Sequence, residues 1–235
     1  MASAIIMAGG IGARTAQFVP KQFLTVNDIP VIVYTMMNVQ KNENIDNIVV
    51  VSSPGWENFI YSYAKQFGVA KLKGVVEGGN TRIASIYNGL RYLKEIGEKG
   101  KVFLIDANRP MVPQEIINEV IALVDNCDCA VGLEPCYDSM FVSDDGQTVS
   151  DVANRGVLYR GVGPECGWMD ALLDIYETAD TDSAVDTSTA GLAIACGKKV
   201  LATKGHIKCF KITTADDFEL FKAFLSAEPL TNLVR

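Results

Sequence analysis

Ile5-Ile6-Met7-Ala8-Gly9-Gly10-Ile11-Gly12-Ala13-Arg14-Thr15-Ala16-Gln17-Phe18-Val19-Pro20-Lys21-Gln22-Phe23-Leu24 is the stretch from which the fold is read. An apolar run of strand length breaks into three glycines within four positions. Glycine lets a backbone approach a ligand closely and reach positive φ, so successive N–H groups can turn inward as an anion-binding concavity. Arg14 and Lys21 follow, across a loop stiffened by Pro20. A strand feeding such a turn, with cations over the charge, is the layout of a nucleoside triphosphate site. The generic motifs do not fit it. A P-loop requires Lys-Ser/Thr after its last glycine, and here Ala13-Arg14 follows Gly12. A dinucleotide fingerprint starting at Gly10 would need a glycine at position 15, which is Thr15.

Outward from this turn, strand and helix patterns alternate, as in a Rossmann-like, mostly parallel α/β sheet with helices on both faces. Helices are expected over 30–41, 56–67, 80–96 (with Asn80 as N-cap), 114–124, 168–177, 187–196 and from Thr214 onward. Strands are expected over 47–52, 73–77, 102–105, 129–133, 199–204 and 207–212. In an open parallel sheet, ligands bind beyond the carboxyl ends of the strands. The loops at 9–21, 78–85 and 106–109 should therefore meet in one crevice. Between 137 and 159 the pattern changes. Ser139-Met140-Phe141-Val142 and Thr148-Val149-Ser150-Asp151-Val152 flank Asp144-Asp145-Gly146, a hairpin turn signal. This inserted β-arm within a single domain over 1–235 is an expected dimer element, because an isolated two-stranded arm is barely stable.

The 235 residues, 49% hydrophobic, suffice for one sizeable core. A net charge of −7 with no Lys/Arg cluster argues against a nucleic-acid partner. No membrane span or signal peptide is expected, because the N-terminal apolar run is short and enters the glycine loop directly. Six cysteines without a C-x-x-C pair, and a single histidine, suggest free thiols in a reducing cytoplasm rather than a zinc site. An acidic chain that handles anions must concentrate its few cations locally, which singles out Arg14, Lys21, Arg82, Arg109, Arg155 and Lys211.

Taken as a whole string, Ala-Gly-Gly-x-Gly-x-Arg followed by Pro-Lys-Gln-Phe-Leu resembles the signature of the cytidylyltransferases that make CDP-methylerythritol or CDP-ribitol. Three further segments carry the resemblance in order. Gly78-Gly79-Asn80-Thr81-Arg82-Ile83-Ala84-Ser85 is similar to the family's second motif, Leu104-Ile105-Asp106-Ala107-Asn108-Arg109-Pro110 to its third, and Phe210-Lys211-Ile212-Thr213-Thr214-x-Asp216-Asp217 to its closing motif. The resemblance implies CTP contacts from Met7, Ala8, Gly9, Gly10, Gly79, Asn80, Arg82, Ser85, Asp106 and Ala107, with Gly79 and Ser85 at the cytosine and ribose. It implies Arg14 and Lys21 at the α-phosphate, and Arg109, Arg155, Thr187 and Lys211 around the acceptor phosphate. Asp106 is the expected metal partner for Mg²⁺, directly or through water.

The chain also departs from the family's pattern. Gly163-Pro164-Glu165 stands where Thr-Pro-Gln is usual, Thr187-Ser188 where Thr-Asp is usual, and Thr15 where methionine is frequent. The first two departures fall on the acceptor side and bear on the acceptor's identity. The expected activity is transfer of CMP from CTP to a phosphorylated polyol with release of pyrophosphate, in a cytoplasmic homodimer. The stretch Asn154-Arg155-x-x-Leu158-Tyr159-x-Gly161 leans toward ribitol 5-phosphate as acceptor. 2-C-methyl-D-erythritol 4-phosphate is the alternative, and a CTP-binding regulatory or scaffold protein without turnover is the alternative of another class.

Overall fold

In a computed structural model, residues 1–10, 19–179 and 188–227 are described. Arg14 and Thr187 lie outside them. The chain forms β1 (Ala2–Ala8), β2 (Thr25–Val26), β3 (Ile29–Pro30), α1 (Val31–Gln40), β4 (Ile45–Ser52), α2 (Glu57–Gln66), β5 (Leu72–Glu77), α3 (Arg82–Glu95) and β6 (Lys101–Asp106). It continues through α4 (Gln114–Leu123), β7 (Cys129–Pro135), β8 (Met140–Val142), β9 (Asp151–Ala153), β10 (Tyr159–Trp168), α5 (Met169–Thr178), α6 (Thr189–Ala195), β11 (Val200–Lys204) and α7 (Ala215–Ser226).

Seven strands make one sheet in the order β11-β7-β10-β6-β1-β4-β5. All neighbours are parallel except β10, which runs antiparallel to both β6 and β7. The apolar runs alternate between two cores, as the period of a strand requires. Ile6, Ile48 and Val50 pack with α1, α2 and α4 on one face. Ile5, Val49 and Val51 pack with α3, α5 and α6 on the other. From β1 the chain proceeds to β4 and β5 on one side, then crosses to β6 on the other. This reversal opens a crevice at the carboxyl ends of β1 and β6, where a doubly wound sheet binds its ligand.

Two sequence expectations change, and one strand forms where none was assigned. Residues 159–168 form β10, although Pro164 and three glycines within Tyr-Arg-Gly-Val-Gly-Pro-Glu-Cys-Gly-Trp read as a break. The ladder to β7 is irregular between Gly161 and Glu165, and the proline sits there, where it displaces no regular ladder bond. Residues 207–212 are not a strand. A short helical turn, Ile207–Cys209, leads into a loop fixed by Ile212 N donating to Asn108 O at 2.9 Å and Asn108 Nδ2 donating to Ile212 O at 2.6 Å. The apolar alternation there fits packing instead, since Ile212 joins Phe221, Val26 and Val31 in a separate cluster. The N-cap of α3 is Thr81, whose hydroxyl accepts from Ala84 N, rather than Asn80.

The hairpin arm forms as its turn signal requires. Asp145 Oδ1 accepts from Gln147 N and Thr148 N, and Gly146 takes φ +71°. β8 and β9 pair only with each other, and the arm exposes Tyr137, Phe141, Val149, Val152, Val157 and Tyr159.

Candidate active site

The glycine turn ends β1 at the mouth of the crevice. Gln22, itself buried, donates to Ala8 O at 2.6 Å and to Gly10 O at 3.3 Å, so it ties the loop's far side back onto the strand end. Gly9 and Gly10 do not use the left-handed backbone that glycine allows. Their contribution is space, since a Cβ at Gly10 would meet nothing. Lys21 Nζ donates to Thr213 O, joining this loop to the segment that carries Lys211.

The second wall is the start of α3. Gly79 N donates to Ser85 Oγ at 3.1 Å, and Ser85 Oγ donates to Thr81 O at 2.8 Å. A side chain at 79 would put its Cβ 2.4 Å from Ala84 Cβ, so the tight return onto the helix requires glycine. The third wall is the loop after β6, held by Ala107 N donating to Met7 O at 2.9 Å and Thr35 Oγ1 donating to Ala107 O at 2.7 Å.

At the centre, Asp106 Oδ2 accepts from Arg109 Nε at 2.9 Å, and Oδ1 lies 3.2 Å from Lys211 Nζ. Burial favours the neutral form of Asp106, but Lys211, Arg109 and Arg82 outweigh it and hold the carboxyl below its ordinary range. Burial likewise opposes the charge on Arg82, and Glu165 and Asp106 more than offset this, pushing the guanidinium further up.

Two cavities meet at this centre and share Met7, Arg82 and Asp106. One, of about 470 Å³, is bounded by Met7–Gly10, Lys21, Gly79–Arg82, Ser85, Asp106–Asn108 and Lys211. The other, of about 630 Å³, extends past Asp106 to Tyr159, Gly161, Gly163, Glu165 and Ser188. The described residues expected to bind CTP therefore line one cavity, with Lys21 and Lys211 at its cationic side. Arg109 lines the second cavity, but its Nη1 also donates to Val162 O and Cys209 O, so much of its hydrogen bonding goes to the protein.

Arg155 does not line either cavity. It is exposed on the arm and donates to Tyr137 O at 2.8 Å, so one chain does not bring it to Lys211. The departures on the acceptor side have structural reasons. Gly163 sits at φ +56°, and a Cβ there would approach Arg109 Nε to 3.3 Å, so the backbone favours glycine and Arg109 packs over it. Glu165 is buried, paired with Arg82 at 3.2 Å, and Ser188 caps α6 by accepting from Gly191 N.

The family described as 2-C-methyl-D-erythritol 4-phosphate cytidylyltransferase (IspD) matches residues 2–227. The chain belongs to this cytidylyltransferase family. Among its relatives, the ribitol-5-phosphate cytidylyltransferase of Lacticaseibacillus paracasei is 32% identical over 98% of this chain and 100% of its own. The 2-C-methyl-D-erythritol 4-phosphate cytidylyltransferase of Lachnospira eligens is 30% identical over 96% of this chain and 99% of its own. The solved structure of 4-diphosphocytidyl-2C-methyl-D-erythritol synthase from Anaerococcus prevotii has the same fold, with a TM-score of 0.81 at 24% identity over 96% of each chain.

Within the family frame, two residues that the sequence reading did not select stand out. Gln22 gave no charge signal, although it directly follows the selected Lys21. Glu165 was visible only as a departure from the family pattern. A lone acidic residue in a Gly- and Pro-rich segment gives no hint of burial without its partner, and that partner is 83 residues away.

Proposed function

We propose that this chain transfers CMP from CTP to a phosphorylated polyol of the ribitol 5-phosphate type, releasing pyrophosphate. CTP occupies the cavity beside the glycine turn, with Gly79 and Ser85 facing its nucleoside. The acceptor phosphate approaches from the adjoining cavity across Asp106. The reaction needs an acceptor oxygen in line with the α-phosphorus and a route for charge onto the leaving pyrophosphate. As in phosphoryl transfer generally, positioning and electrostatic stabilisation supply the catalysis, with no covalent intermediate. Arg14 and Lys21 stabilise charge at the α-phosphate, while Lys211 orients the acceptor phosphate with Thr187 and Arg155. A guanidinium fork and a point ammonium serve different oxygens.

Mg²⁺ fits the donors present. Asp106 is a carboxylate at the strand end, and the described residues offer no cluster of three ligating side chains. That suits a small cation held mostly by phosphates and water. When bound, it neutralises phosphate charge and favours departure of pyrophosphate.

The observation that carries the choice of acceptor is the position of Tyr159 and Gly161. Both belong to the stretch that leans toward ribitol phosphate, and both line the cavity beyond Asp106. The homodimer is supported by the exposed apolar arm, which a second copy would cover so that its Arg155 reaches the partner's acceptor site. No helix among the described residues is long and apolar enough to cross a membrane. Pyrophosphate release with CTP and Mg²⁺ should be fastest with ribitol 5-phosphate. A clear preference for 2-C-methyl-D-erythritol 4-phosphate would move the enzyme to the other branch. CTP binding without release on any polyol phosphate would favour a non-catalytic role.

A further inference from the structure

β10 carries one carboxylate into the interior. Glu165 stands opposite Leu104 of β6 and Val131 of β7, with its side chain 7% exposed. A charge in that position is costly unless its oxygens are satisfied. They are satisfied by two different walls of the crevice. Oε2 takes Arg82 Nη2 at 3.2 Å, from the first residue of α3, where the nucleotide-side loop ends. Oε1 accepts from Ala190 N at 2.8 Å, in the first turn of α6, beside Ser188 on the acceptor side. Arg82 is the only arginine that lines both cavities among the described residues.

We infer that Glu165 is a positioning residue for nucleotidyl transfer, holding the Arg82 guanidinium at the junction of the two cavities and so setting how the acceptor lies relative to CTP. The inference rests on the cytidylyltransferase reading. Two ends of one short carboxylate fix the spacing between α3 and α6, and arginine's planar fork transmits that spacing as an orientation. Without the carboxylate, Arg82 loses the pair that ties it to β10, next to an Asp106 that already holds Arg109 and Lys211. Its guanidinium is then no longer fixed in orientation at the junction of the two cavities.

Glu165→Gln, which installs the residue usual in the family at this position, separates the role of this chain's carboxylate from simple packing, because it preserves shape. Its one amide oxygen can accept from Ala190 N, which turns the NH₂ group toward Arg82, donor against donor. Steady-state kinetics, thermal unfolding and calorimetric binding of ribitol 5-phosphate are compared for the parent, E165Q, R82Q and the double variant. The expected result for E165Q is an acceptor KM about 10-fold higher and a kcat about 10-fold lower, as for a misplaced reactant, with the CTP KM within about threefold. R82Q should show at least the same defects in acceptor KM and kcat, with the CTP KM rising too because Arg82 also lines the nucleotide-side cavity. The double variant should be no worse than R82Q alone. Parent-like constants in E165Q would overturn the inference. So would single effects that multiply in the double variant, or a loss that only tracks the folded fraction. Should E165Q fail to fold, E165D retains the charge one methylene short. It must then show the same split between acceptor KM and CTP KM in smaller measure, and equal rises in both would overturn the inference. A parent without turnover would count against the functional reading instead. In that case unchanged calorimetric affinity for ribitol 5-phosphate in E165Q would overturn the role of Glu165 independently.

Discussion

Asp106→Asn is the substitution whose size the geometry best defines. Arg109, Lys211 and Arg82 converge on this carboxylate, and asparagine keeps its shape while removing its charge. Arg109 would lose a charge-assisted bond, a class worth ~1.5–3 kcal/mol. Its bonds to the carbonyls of Val162 and Cys209 remain and favour the lower half of that range. The Lys211 side chain is 41% exposed, so solvent screening leaves its pair about 0–1 kcal/mol. The expected deficit of about 2–3 kcal/mol corresponds to roughly 4–12 °C in Tm for a chain of this size. The pH dependence follows from the depressed native carboxyl. Burial acts to raise it, and Lys211, Arg109 and Arg82 more than reverse that. A depressed carboxyl contributes stability that is fully present above the unfolded value near ~3.9 and is lost as pH falls through the native value. Urea unfolding of parent and variant in EDTA should therefore show the whole difference at neutral pH and a shrinking one below about pH 4. A variant as stable as the parent at neutral pH, or a difference that persists unchanged into acid, would refute the ion-pair account. Turnover should fall as well, because Lys211 loses the group that orients it.

Two further outcomes test the proposed chemistry. Lys21→Ala should lower kcat by ~10²-fold or more while CTP affinity falls less, as when one transition-state donor is lost; near-normal turnover would reduce Lys21 to its structural bond with Thr213. If the proposed dimer shares its sites, Arg155→Ala and Lys211→Ala subunits, each inactive alone, should regain part of the activity when mixed, because one site of the mixed dimer is intact. No recovery despite proven subunit exchange would place both residues' contributions within one chain.

The sheet was legible because its strands are unambiguous. Asn47-Ile48-Val49-Val50-Val51-Ser52 has no polar face, so it must be covered on both sides, and that alone requires a layered α/β architecture. The cavity beside the glycine turn was legible for a related reason. Its parts are the ends of strands, and a parallel sheet places those ends together however long the intervening helices are. Asp106 and the loop at 78–85 could thus be assigned to one crevice before any distance was known. The hairpin at Asp144-Asp145-Gly146 was a local matter of turn chemistry, and it folded accordingly.

The acceptor side depended on contacts that local pattern does not encode. β10 contains the breakers that normally end strands, and only its two neighbours, β6 and β7, supply the hydrogen bonds that make it one. The alternation of Phe210-Lys211-Ile212 suited a strand equally well, but Ile212 bonds its backbone to Asn108 and not to an edge of the sheet. Asn108 and the cluster around Phe221 fixed it as a loop that aims Lys211 at Asp106. Glu165 shows the limit most clearly. Whether a carboxylate is solvated or buried depends on a partner, and its partner Arg82 comes from the opposite half of the chain. The sequence by itself determined the layers, the turn chemistry and the family's ordered motifs, because those follow from neighbouring residues. Tertiary structure alone decided which charges meet, because the energy of a buried ion exists only once both members have been brought together away from water.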